Sequence, residues 1–180
     1  HVLEAYQIEI YIKKPSNHIV KILYTGDLGS KKNFEFQPFL KENEIVISRD
    51  KIRFSLLEEG DEYFSKEDEV LKEFTKQIVE SLSRPMGDTI VDATHLNGGS
   101  RRKILNLITR AGGSYDEVRV IWLRTPLDVA LKRNAKRTGR AFVPEDAIKN
   151  MYNSLTKPAI EEGIDWLYTV TSKGIKIEKL

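Results

Sequence analysis

From residue 44 to residue 170 the sequence alternates short β-branched runs with amphipathic helical stretches, and this alternation restricts the fold more than any other property of the chain. Residues 44–48 (EIVIS), 89–91 (TIV) and 118–123 (VRVIWL) are apolar runs between polar flanks, the pattern of strands covered on both faces of a parallel sheet. Val70, Leu71, Phe74, Ile78 and Leu82 recur at helical spacing, with a capping box expected at Ser65 and Asp68 and a stop at Pro85 and Gly87. Ile104, Leu105 and Ile108 form a second stripe that ends at Gly112 and Gly113. Thr125 as cap, Pro126 as first helical residue and Asp128 in the first turn predict a third helix burying Leu127, Ala130 and Leu131. Pro144, Glu145 and Asp146 predict a fourth, carrying Ile148, Met151, Tyr152 and Leu155. Residues 166–170 read as the last core strand. Strands alternating with helices of this length predict an α/β domain with a mainly parallel sheet and flanking helices.

Residues 1–43 follow a different pattern. Tyr6, Ile8, Ile10 and Ile12 alternate with polar partners, residues 13–17 (KKPSN) read as a turn, and an apolar run follows at 19–24, which together predict a β-hairpin. A hairpin is unusual at the start of an open parallel sheet, so 1–43 form an atypical β-rich segment of a single domain spanning 1–180. The sequence starts at His1 rather than Met, so a trimmed or replaced start is expected. Composition supports a globular chain: 40% of residues are hydrophobic and 31% charged, which excludes collagen-like and disordered classes. Lys plus Arg exceeds Asp plus Glu by 29 to 27, so an anionic partner must be met by a local cluster and not by the whole-molecule field. Cysteine is absent, which excludes disulfide frameworks, thiolate zinc sites and cysteine nucleophiles and is compatible with a cytoplasmic location. No apolar run approaches the roughly 20 residues of a membrane helix, so no membrane association is expected.

Four motifs fall at strand or helix edges. They are Ser48-Arg49-Asp50-Lys51-Ile52-Arg53, then Val91-Asp92-Ala93-Thr94-His95-Leu96-Asn97 with Ser100-Arg101-Arg102, then Leu131-Lys132-Arg133-Asn134-Ala135-Lys136-Arg137, and Val143-Pro144. In this order they resemble the P-loop kinases of the phage 5′ polynucleotide kinase type. The resemblance implies ATP and Mg²⁺ as cofactors and phosphoryl transfer to the 5′ hydroxyl of a nucleic acid or nucleotide. Asp50 stands just past a buried strand, where the crevice of an open α/β sheet lies, with Arg49 and Arg53 beside it. A carboxylate there can take the proton of an attacking hydroxyl while an arginine holds a phosphate of the acceptor. The plainer alternative is an Arg49–Asp50 surface ion pair. Asp92 ends a strand where such kinases place a carboxylate that holds Mg²⁺ through water, although an aspartate there also serves as a cap or turn former. Thr94, His95 and Asn97 are candidate caps, which makes His95 structural.

Arg133 and Arg137, four apart, are expected on one helix face, with residues 139–144 as a loop that closes over the phosphates; the alternative is a merely solvated face. The family's phosphate loop, G-x-x-x-x-G-K-[ST], aligns with Gly26-Asp27-Leu28-Gly29-Ser30-Lys31-Lys32-Asn33. The implied nucleotide contacts are Gly26, Gly29, Ser30, Lys32 and Asn33, with Asn33 a weak second metal ligand. Lys31 replaces the second glycine and Asn33 the metal-binding hydroxyl, and Pro38 interrupts the helix expected to follow. Residues 25–32 are otherwise a glycine-containing turn. The alternative functions are a weakened or inactive kinase-like module that binds nucleotide or nucleic acid, and a small-molecule kinase on the same scaffold. A homo-oligomer is compatible with either.

Overall fold

The computed structural model describes residues 7–14, 18–25, 44–85, 88–115, 117–139 and 142–180. Strands β1 (Gln7–Lys14) and β2 (His18–Thr25) pair antiparallel, with Lys14 opposite His18, so the expected hairpin forms. They are followed by β3 (Ile45–Ser48), α1 (Arg49–Leu56), α2 (Glu67–Leu82), β4 (Thr89–Ala93), α3 (Gly98–Arg110) and β5 (Glu117–Leu123). The chain continues through α4 (Leu127–Asn134), α5 (Glu145–Asn153), a 3₁₀ turn (Ile160–Glu162), β6 (Trp166–Thr171) and β7 (Gly174–Lys179).

Among the described residues one sheet holds seven strands in the order β3–β4–β2–β1–β5–β6–β7. β2 runs parallel to β4 and also meets β5 in parallel at Val20 and Val118. β3 with β4 and β5 with β6 complete the parallel set, while β1 and β7 are the antiparallel members. The fold is therefore α/β with a mainly parallel sheet. Its register aligns the carboxyl ends of three strands: Tyr24 lies opposite Ala93, and Ser48 opposite Asp92.

The core forms where the helix stripes meet the sheet. Val70, Phe74, Ile78 and Leu82 of α2 and Ile104, Leu105 and Ile108 of α3 pack on Ile47, Val91, Val118, Val120 and Leu167. Burying each such side chain contributes about 1.5–3 kcal/mol, far more than the helices' own propensities.

Several helix ends differ from expectation, each because a local hydrogen bond competes. Ser65 does not cap α2: its hydroxyl donates to the Glu62 carbonyl within a turn, leaving Lys66 as a cap without a side-chain bond. Glu67, Asp68 and Glu69 in the first turn then favour the positive helix end. Among the candidate caps at 94–97, Asn97 is the one used, in a reciprocal box with Ser100. α3 closes as the glycines predict: Gly112 has φ 90°, and the Gly113 amide reaches back to the Ile108 carbonyl at 2.8 Å. Pro126, not Thr125, is the N-cap of α4, and the buried Thr125 hydroxyl has no hydrogen-bond partner among the described residues. α1 and β7 had no counterpart in the sequence reading.

Candidate active site

Asp50 occupies the first turn of α1, immediately beyond the carboxyl end of β3. Ser48 starts this helix by accepting the Lys51 amide, so the chain turns sharply and leaves the Asp50 carboxylate about one-third exposed at the sheet edge. Arg53, one helical turn later, is buried at 5% exposure. Its guanidinium pairs with Asp50, donates to Glu67 at 2.7 Å and donates to the Tyr63 hydroxyl at 2.8 Å. Tyr63 in turn donates to the same Asp50 oxygen at 2.8 Å. Arg49 binds the other Glu67 oxygen at 2.8 Å. The Arg49–Asp50 surface pair, the plainer alternative, does not form. Each arginine instead reaches Glu67 at the start of α2, because a helical arginine four residues from its twin projects in the same direction.

This network sets the electrostatics of the site. Burial works against the Arg53 charge, but the hydrogen bond to Glu67 and the electrostatic influence of Tyr63 and Asp50 outweigh it and raise its pKa. Burial, and then the Asp50 charge, push the Tyr63 hydroxyl well above the ordinary tyrosine range, so it remains a donor. Arg53, read from sequence as an acceptor contact, thus points at protein groups. Arg49 is 27% exposed, and its Nε has no hydrogen-bond partner among the described residues.

Asp92 lies in β4 at 5% exposure, in register with Ser48 and, across β2, with Leu23. The segment bearing Gly26, Gly29, Ser30, Lys32 and Asn33 begins directly after β2 but lies outside the described residues. Among the described residues no three His, Asp or Glu side chains gather into a metal cage. A buried carboxylate near a strand end, as Asp92 is, fits Mg²⁺, which keeps most of its water and takes one or two carboxylates beside phosphate oxygens.

Arg133 stands in the last turn of α4, which ends at Asn134. Arg137 therefore lies beyond the helix and not on it, its amide bonded to the Asn134 carbonyl at 3.0 Å. α4 ends in tighter i→i−3 bonds, the Lys136 amide to the Arg133 carbonyl and the Arg137 amide to the Asn134 carbonyl, while the Asn134 side chain accepts the Val143 amide at 3.1 Å and donates to the Val143 carbonyl at 2.7 Å, fastening the two ends of the expected lid. Residues 140–141 of that loop lie outside the described residues. The structure gathers Arg49, Asp50 and Arg53 into one network, whereas α4 follows β5, separated from β4 in the sheet by β2 and β1.

His95 is buried with its ring beside Phe74. Arg101 is fully buried, binding Glu162 at 2.6 and 2.8 Å, the His95 carbonyl at 3.1 Å and the Thr156 carbonyl at 3.0 Å. Sequence reasoning missed Tyr63, Glu67 and Asn134. Tyr63 and Glu67 come from beyond the motif that carries Asp50, whereas Asn134 stood within a quoted motif.

A sequence profile of the AAA domain family matches residues 26–158, more than half of the 180-residue chain. No curated protein matches it.

Proposed function

The chain belongs to the AAA domain family, a group of P-loop NTPases that includes kinases, and from this premise we propose that it transfers the terminal phosphoryl group of ATP to the 5′ hydroxyl of a nucleotide or nucleic acid. The observation that carries the proposal is Asp50: a carboxylate one-third exposed at the carboxyl edge of a parallel sheet, held in place by Arg53 and Tyr63. Asp50 accepts the acceptor's hydroxyl proton as the new O–P bond forms and the bond to the departing diphosphate breaks. Arg53 orients Asp50. Arg49, the more exposed of the two arginines, is the candidate contact for an acceptor phosphate. Lys32, with Gly26, Gly29 and Ser30, is assigned to the nucleotide phosphates, and Arg133 and Arg137 to the charge that develops during transfer. Asp92, with Asn33 as a weaker ligand, would hold Mg²⁺, which when bound neutralises phosphate charge. The reading treats 1–180 as one catalytic domain.

Incubation with Mg-ATP and a 5′-hydroxyl acceptor tests this. Asp50→Asn is expected to lower turnover about 100-fold or more and to leave Mg-ATP affinity unchanged by calorimetry. Wild-type protein that transfers no phosphate to any such acceptor would overturn the proposal. Lys31 at the second glycine position and Asn33 in place of the hydroxyl favour a second reading, a kinase-like binding module without turnover. Nucleotide binding without transfer is the result expected of that module.

A further inference from the structure

Phe64 is 69% exposed and Phe54 47%, an unusual display of large rings for a chain whose core is otherwise well covered. Neither ring is isolated. Phe54 follows Asp50 by one helical turn on α1, so both project from the same face. Tyr63 stands between the two phenylalanines, edge-on to Phe64 at 4.6 Å and to Phe54 at 6.0 Å between centroids. The Arg53 guanidinium lies 4.4 Å from the Tyr63 centroid and 5.7 Å from that of Phe64, so the cation that grips Asp50 also backs the rings. An aromatic face thus runs directly out from the candidate base.

The loop that delivers Tyr63 and Phe64 is acidic. Glu58, Glu59, Asp61 and Glu62 lead into the rings, and Lys66 lies 3.2 Å from Asp61 and 3.9 Å from Glu58. An aromatic ring is welcome on such a surface, but a phosphate backbone running past it meets like charge.

We propose that Phe54 and Phe64 are the stacking platform for the base of a short acceptor, a single nucleoside phosphate or a few nucleotides, and that the acidic loop disfavours a long polyanionic strand. The inference rests on the kinase reading above and adds its specificity. A base seated on the platform places the sugar toward Asp50. A base-free sugar acceptor gains nothing there, because stacking needs a π-face. A long strand gains little, because each further phosphate approaches the carboxylates of the loop.

The test compares three acceptors in Mg-ATP assays: a nucleoside 3′-monophosphate, the same sugar phosphate without a base, and a long single-stranded oligonucleotide. Phe64→Ala is expected to raise KM for the nucleotide about tenfold or more, the scale of one lost stacking contact, with kcat nearly unchanged. Phe64→Tyr should restore it, and the base-free acceptor should not respond to either change. Replacing Glu58, Glu59 and Glu62 with Gln should lower KM for the oligonucleotide selectively. A KM for the nucleotide that ignores Phe64→Ala, or a loss shared equally by the base-free acceptor, overturns the platform. Binding of the nucleoside monophosphate without ATP, followed by NMR in wild type and Phe64→Ala, separates the two claims. Ring-dependent binding in a protein that transfers no phosphate removes the kinase reading and keeps the platform; transfer with ring-independent binding does the reverse.

Discussion

Tyr63 places its hydroxyl between Asp50 and Arg53 from within an irregular loop, and its raised pKa keeps the proton on the phenol; in the proposed kinase it would orient Asp50. Tyr63→Phe retains the ring against Phe64 and removes the hydroxyl that donates to Asp50 and accepts from Arg53. Turnover is expected to fall about tenfold, the rate equivalent of one hydrogen bond to a charged group, with Mg-ATP affinity unaltered by calorimetry. The same residue gives an alkaline signature. Its folded pKa lies above the value near 10 of free tyrosine, so its contribution to stability is complete below about pH 10 and is lost as pH rises towards the folded value. Denaturation of Tyr63→Phe above pH 10 should show a shallower loss than wild type, and matching slopes would contradict the assignment. Asp50 and Arg49 were legible in the sequence because strand ends in α/β sheets mark the crevice. The partners Tyr63 and Glu67 were not, since residues ten or more positions away meet Asp50 and Arg53 only after α1 and α2 pack together.

Elements were legible in proportion to their burial. β4 and β5 announced themselves as apolar runs, and α2 and α3 as stripes, because each buries that face in the core, whereas β3 was read from an apolar run although its Ile45 and Val46 are exposed. α1 escaped because only Ile52 and Arg53 of its eight residues are buried, which leaves too little apolar periodicity to read. β7 alternates Ile175 and Ile177 with charged residues, yet both isoleucines are about half exposed, so alternation without burial was the only signal. The α4 boundary was misread because Lys136 and Arg137 continue the helical spacing in sequence, whereas their amides bond only three residues back and the chain leaves the helix after Asn134. Asn134→Ala should strip two backbone groups of their partners, lowering stability by about 1–3 kcal/mol and speeding hydrogen exchange across residues 135–143. Unchanged exchange there would remove Asn134 as the fastener of this loop. For the segment after β2, restoring Gly at Lys31 and Ser at Asn33 should tighten Mg-ATP binding, and adding Lys32→Ala should abolish the gain. Three identical calorimetric titrations would leave that segment a simple turn.

At the scale of the whole molecule, Arg101 and Glu162 join α3 to the 3₁₀ turn across 61 positions of sequence, with the Arg101 side chain at 0% exposure and that of Glu162 at 5%. Sequence reading assigned Arg101 to a motif and Glu162 to nothing, because a buried ion pair leaves no periodic trace. Glu162→Ala strands the arginine charge in the core and should cost about 3–5 kcal/mol, a large downward shift in Tm, whereas Arg101→Met with Glu162→Leu should recover most of it. Equal melting of the single and double variants would deny the coupling. Gly98 belongs to the same joint: a Cβ there would sit 2.8 Å from a Glu162 oxygen, so even Gly98→Ala disturbs the pair. For a lineage accumulating substitutions one at a time, these positions form a locked ratchet. Each single step removes a sizeable part of a stability that in domains of this kind totals about 5–15 kcal/mol, so descendants inherit both letters together or replace them together.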